Sequence, residues 1–170
     1  MQRQVLSILV ENQTGVLSRI SGLFSRRGYN IDSLSVGVTE DPTVSRITVV
    51  TIGDDNVLYQ IRQQLGKLID VLEVAELPPD DSVTRELVLI KVRAEGQKRG
   101  EIISITEIFR ANIIDVSLTT LTIEMTGSQN KIDALIQMMQ PYGVCEIVRT
   151  GLTGLQRGAT TIKSTVASDL

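Results

Sequence analysis

A single hydrophobic pattern runs through this chain twice, and that repetition restricts the fold more than any other feature. Strand-like alternation from Val5 to Val10 puts Leu6, Ile8 and Val10 on one side and Ser7 on the other. Helical spacing then gathers Val16, Ile20, Leu23 and Phe24 on one face, and Gly28 is placed to stop the helix in the left-handed conformation. Alternation resumes from Ile31 to Thr39, breaks at Glu40-Asp41-Pro42-Thr43, and returns from Arg46 to Ile52 as the second arm of a hairpin. Asp54 or Asp55 caps a second helix with Val57, Leu58, Ile61 and Leu65 inward, and Val71 to Leu77 reads as a fourth strand. The order is β-α-β-β-α-β.

Pro78-Pro79-Asp80-Asp81-Ser82 interrupts it as a linker, since two prolines remove N–H donors and the acidic pair stays solvated. The order then repeats. Glu86 to Arg93 is a strand, and Arg99 to Phe109 a helix with Ile102, Ile105 and Phe109 inward. Ile113 to Leu118 and Leu121 to Thr126 form a hairpin, Ile132, Leu135, Ile136 and Met139 mark a helix, and Val144 to Val148 a last strand. Leu23-Phe24 echoes Ile108-Phe109, Ile31-Asp32 echoes Ile114-Asp115, and Gly53-Asp54-Asp55-Asn56 echoes Gly127-Ser128-Gln129-Asn130. The pattern predicts an α+β protein with two ferredoxin-like domains, at residues 1–77 and 84–158, joined by a linker at 78–83 and followed by a flexible tail at 159–170. Each would be a four-stranded antiparallel sheet with both helices on one face. The open face, carrying Val5, Ser7 and Leu9, would then need cover from another domain or subunit. A free edge strand that can pair across a two-fold axis makes a dimer the expected state.

Composition removes several functions. Of 170 residues, 42% are apolar, the net charge is -3, and there are only two Phe and three Tyr, so neither a basic surface nor stacking aromatics exist for nucleic acid. His is absent and Cys145 is the only thiol, which excludes intrachain disulfides, Cys/His zinc sites and imidazole catalysis. No apolar run reaches membrane length, and the expected location is cytoplasmic. Asp54, Asp55, Asp80 and Asp81 sit in turns, where carboxylates cap or solvate rather than hold metal, and Gly53-Asp54-Asp55-Asn56 reads as a helix cap.

One stretch differs between the copies. Glu11-Asn12-Gln13-Thr14-Gly15 opens onto the first helix, whose leading N–H groups lack intrahelical partners and whose dipole favours an anion. Thr14 is the expected N-cap, and Gly15 leaves room for a ligand. The second copy lacks this loop and the Gly28-Tyr29-Asn30 corner, so both are candidates for a ligand site. An ordinary strand-helix connection, with Asn30 capping the turn after Gly28, is the competing reading.

The run L-V-E-N-Q-T-G-V-L-S-R-I-S-G-L-F-S-R-R-G-Y-N-I-D-S-L-S-V, with D-P-T-V-S-R-I-T (Asp41 to Thr48), E-I-F-R-A-N-I-I-D-V (Glu107 to Val116) and the tail R-T-G-L-T-G-L-Q-R-G (Arg149 to Gly158), resembles the small regulatory subunits of acetolactate synthase (acetohydroxyacid synthase), which begin with an ACT domain. The resemblance covers nearly the whole chain. It implies a subunit without catalytic residues that binds the large, catalytic subunit, activates it, and conveys feedback inhibition by valine in branched-chain amino-acid biosynthesis. No cofactor is expected in this chain; thiamine diphosphate, Mg²⁺ and FAD would belong to the large subunit. Carried over by position, Asn12, Gly15 and Asn30 match the effector site, with Ser18 nearby. N–H groups of Gly15 and Val16 would hold the α-carboxylate, the amide oxygen of Asn12 or Asn30 would accept from the α-ammonium, and the side chain would lie among residues such as Ile31. Sites of this kind lie at a dimer interface, so Asn30 is expected from the other chain. The alternative is a free-standing ACT sensor of an amino acid that controls another enzyme.

Overall fold

The computed structural model describes residues 1–163, which form two compact units, Met1–Thr84 with the chain from Leu152 on, and Arg85–Gly151. In the first unit the order is β1 (Gln2–Glu11), α1 (Val16–Arg27), β2 (Asn30–Val38), β3 (Val44–Gly53), α2 (Asp55–Gly66) and β4 (Val71–Glu76), and the antiparallel sheet runs β2-β3-β1-β4. The β1 residues Leu6, Ile8 and Val10 bury against Val16, Ile20, Leu23 and Phe24 of α1 and Leu58, Ile61 and Leu65 of α2, as the two periodicities require. Gly53 is needed because a Cβ there would stand 2.8 Å from Val57 Cγ1. The next residue, Asp54, accepts from the Val57 N–H at 2.8 Å, which makes this stretch the helix cap expected.

The second unit repeats the order with β5 (Ser82–Arg93), whose first three residues belong to the first unit, α3 (Lys98–Ile108), β6 (Asn112–Val116), β7 (Thr120–Gly127), α4 (Gln129–Met139) and β8 (Val144–Arg149), in a sheet ordered β6-β7-β5-β8. Its core joins Val88, Ile90 and Val92 to Ile102, Ile132, Leu135 and Met139. Its entry and exit are clamped together: Arg149 Nε donates to Glu86 Oε1 at 2.6 Å, and the Glu86 side chain is only 3% exposed.

Two expectations need correction. The chain from Leu152 on groups with the first unit, not with the second copy, and it contains a further strand, β9 (Thr153–Gln156), which pairs with β5. A Cβ on Gly154 would meet Val83 O and Thr84 Cγ2 at 2.7 Å, so this glycine permits close backbone packing. Second, the open face of the first sheet is covered at least in part by the chain's own segment 152–163. The Leu152 N–H donates to Ser33 Oγ at 3.0 Å, and Ile162 buries against Leu9 and Ala75 with Val44 alongside. Residues 159–163 of the expected flexible tail thus include a buried anchor, and the remainder of that tail lies outside the described residues.

Candidate functional site

The loop after β1 is fixed from two sides by three hydrogen bonds. Glu11 N–H donates to Asp70 O at 3.0 Å, Asn12 N–H to Thr43 O at 2.8 Å, and Asn12 Nδ2 to Pro42 O at 3.0 Å. A carbonyl can only accept, so the Asn12 amide turns its nitrogen to Pro42, and Oδ1 remains as an acceptor for an ammonium group. The accepting hairpin is itself tied, because Asp41 Oδ1 accepts from Thr43 Oγ1 at 2.7 Å and from Thr43 N–H at 2.9 Å. These two bonds, the hydroxyl first, hold the Asp41 carboxyl below its ordinary range.

Gly15, not Thr14, is the N-cap of α1. Its φ of 89° is left-handed and no side chain caps the helix, so the first-turn donors are not covered by a local hydroxyl or carboxylate. The Val16 N–H reaches Gln13 O only at 3.4 Å, while the Val16 side chain is buried in the core. Val16 therefore offers its backbone alone. Sequence reasoning did not single out Arg19. Arg19 Nε donates to the buried Asp70 Oδ2 at 2.5 Å, and its Nη1 lies 3.4 Å from where a Gly15 Cβ would be. The signal was its spacing, four residues from Gly15 and hence one turn above the cap. A guanidinium beside a helix N-terminus strengthens the preference for a carboxylate.

Asn30 opens β2, is exposed, and its carbonyl accepts from Thr51 Oγ1 at 2.6 Å. The turn before it closes on backbone bonds, Tyr29 N–H to Phe24 O at 2.9 Å and Gly28 N–H to Ser25 O at 3.2 Å, which leaves the Asn30 amide out of that closure. Ile31 is half-buried against the core. Register separates these residues from the loop. Asn30 pairs with Ile52 and Ile52 with Arg3, whereas Asn12 follows Glu11 at the other end of β1, roughly 26 Å away at about 3.3 Å per residue. One chain brings Asn12, Gly15 and Val16 together, and Asn30 with Ile31, but does not join the two groups.

The corner thought unique to the first copy occurs in both. Arg110, with φ 55°, stands where Gly28 does; Arg110 N–H donates to Glu107 O at 3.0 Å and Ala111 N–H to Thr106 O at 2.9 Å, and Asn112 opens β6 as Asn30 opens β2. Phe24 therefore corresponds to Thr106, and the echo with Phe109 was displaced by about one helical turn. The loop from Glu11 to Gly15 is what distinguishes the first unit. Among the described residues no cluster of three or more His, Cys, Asp or Glu could hold a metal ion, and no helix is long and apolar enough to cross a membrane.

Two β-α-β-β-α-β units, one with a glycine-opened helix N-terminus after its first strand, define an ACT-type regulatory protein. Residues 6–73 match the family described as AHAS small subunit-like ACT domain, and residues 85–158 that described as small subunit of acetolactate synthase. The acetolactate synthase small subunit of Mycolicibacterium smegmatis is 51% identical over 153 residues, 90% of each chain. The isozyme 3 small subunit of Escherichia coli is 48% identical over 157 residues, 92% of this chain and 96% of that one. The crystal structure of the Thermotoga maritima small subunit superimposes with a TM-score of 0.88 at 40% identity, covering 94% of this chain and 100% of that one. The chain belongs to the family of acetolactate synthase small subunits, the regulatory subunits implied by the resemblance.

Proposed function

We propose that this chain binds the large subunit of an acetolactate synthase, raises its activity, and confers feedback inhibition by valine through a site shared by two copies. The N-terminal ACT unit is the effector-binding and dimerising part, and Arg85–Gly151 form the second domain. Thiamine diphosphate, Mg²⁺ and FAD belong to the large subunit in this reading. Asn12 Oδ1 of one copy accepts from the α-ammonium, the N–H groups at Gly15 and Val16 hold the α-carboxylate, and Asn30 with Ile31 of the second copy completes the site.

The family match supports the acetolactate synthase reading, and the observation that carries the shared site is the register, which keeps Asn12 and Asn30 at opposite ends of one sheet. β2 is an edge strand with Val36 and Val38 exposed. Antiparallel pairing of two β2 edges across a two-fold axis lays the Asn30 end of one strand beside the Val38 end of the other. Val38 leads into the hairpin whose Pro42 and Thr43 carbonyls hold Asn12. The test is calorimetric titration of valine into the full chain, with acetolactate formation by the large subunit measured with and without it. Saturable valine binding, activation by the chain and inhibition by valine only in its presence are expected. A chain that neither activates nor binds valine refutes the reading, and binding without any effect on an acetolactate synthase would favour the free-standing sensor.

A further inference from the structure

The segment after Leu152 crosses the face of the first sheet opposite α1 and ends next to the loop proposed to bind valine. Ile162, only 5% exposed, packs with Leu9, Ala75 and Val44. Two of these contacts lie on the last rungs before the loop. Leu9 is two residues from Glu11, and Val44 is the pairing partner of Glu11 and follows Thr43, whose carbonyl takes the Asn12 N–H. The strand end is therefore held from both faces, by Val10 and Val16 in the helix-side core and by Ile162 on the other. Lys163 lines one cleft with Glu40, the residue before Asp41, which ties Thr43 into its turn. A cleft lined by Leu9, Glu40, Arg46 and Ile162 runs beneath this end of the segment, so its packing on the sheet is local to Ile162.

We infer that segment 152–163 is a positioning strap for the effector loop, acting through Ile162 and Lys163 to hold Asn12 and the start of α1 in the geometry that binds valine. The inference rests on the valine reading above and adds to it a regulatory element remote in sequence. Neither residue touches the ligand. Ile162 keeps the β1 and β3 ends in register, so that Pro42 O and Thr43 O stay within reach of Asn12 and its Oδ1 is presented outward. Released from the strap, the two strand ends keep their helix-side packing and lose only the order of the loop, which must then be restored at the cost of binding.

The experiment is valine titration into full-length Ile162→Asp, Ile162→Leu, Lys163→Glu, Asn12→Ala and Ile61→Val, with the thermal midpoint of each. Ile162→Asp is expected to weaken valine binding about tenfold or more, Ile162→Leu to stay within about twofold of the parent, and Lys163→Glu to weaken it a few-fold. Ile61→Val removes a methyl from the opposite side of the unit and controls for stability alone: it is expected to lower the midpoint while leaving affinity unchanged. Lys163 is exposed, so its variant reports even if Ile162→Asp fails to fold. Parental affinity in both Ile162→Asp and Lys163→Glu, or an equal loss of affinity in Ile61→Val, overturns the strap. If Asn12→Ala loses valine while the strap variants keep it, the strap alone is wrong; if Asn12→Ala binds like the parent, the site reading falls and the strap with it.

Discussion

The two units share one topology and differ at the two ends of the first strand's logic, its loop and its open face. In the first, β1 runs into a loop held by three hydrogen bonds and a helix begun by a left-handed glycine, while Ser7, Thr48 and Val50 on the face away from the helices are buried. In the second, α3 starts from Gln97 in helical conformation after Gly96, and the corresponding face leaves Lys91 and Glu146 exposed, with Val148 58% exposed. A fold that supplies the same helix N-terminus twice becomes a candidate ligand site only where the loop fixes an acceptor beside it. Helix dipole and backbone donors are common to both units; Asn12, Gly15 and Arg19 are not.

The largest expected effect lies at the ion pair that closes the second unit. Arg149→Ala strands the nearly buried Glu86 carboxylate and should cost about 3–5 kcal/mol of stability, read as a fall in denaturation midpoint. The hydrogen bond to Glu86, with Asp133 assisting, raises the Arg149 pKa further, so this contribution persists across the range where the protein is folded at neutral and alkaline pH. Next comes a matched pair of substitutions. Gly15→Asp forces a strained φ and sets a carboxylate against Arg19, where it replaces the ligand's own; loss of one charged contact, worth about 1.5–3 kcal/mol, weakens valine binding roughly tenfold to a hundredfold. Gly96→Asp, also at positive φ but with nothing within 4 Å of its Cβ, should leave valine inhibition as it was. Equal loss in both would show that the site is not particular to the first unit. Smallest is Arg3→Ala, which removes a 3.4 Å pair with Asp32 between side chains 38% and 40% exposed. Screening by solvent limits its effect on the midpoint to that of about 1 kcal/mol or less.

Much of the fold was legible because helix and strand periods differ and both copies keep them. The order of all eight principal strands and four helices follows from where Leu6, Ile8 and Val10 alternate and where Val16, Ile20 and Leu23 do not. The strap was not legible, since residues 152–158 read as the end of the second copy and 159–170 as a flexible tail until Gly154 is set against the Val83 carbonyl and Ile162 against Leu9. Alignment of the copies slipped because apolar residues recur at each helical turn, and only the αL residues Gly28 and Arg110 fix the match. At the candidate site, the difference between the copies pointed to the loop and the corner, and the resemblance singled out Asn12, Gly15 and Asn30 within them. Their separation required strand register, and Arg19 required the buried Asp70 to give its guanidinium a fixed place.

The site proposed to span two chains is tested most directly by complementation. Asn12→Ala and Asn30→Ala, each alone, remove one residue from both sites of a homodimer and should each weaken valine binding. Co-expressed in equal amounts, they form mixed dimers in about half of cases, and in each mixed dimer one site carries both native asparagines and the other neither. Calorimetry on the co-expressed protein is expected to recover parental affinity at roughly a quarter of all sites. No recovery, with both single variants folded and dimeric, would mean that Asn12 and Asn30 do not meet across the two chains, and would contradict it.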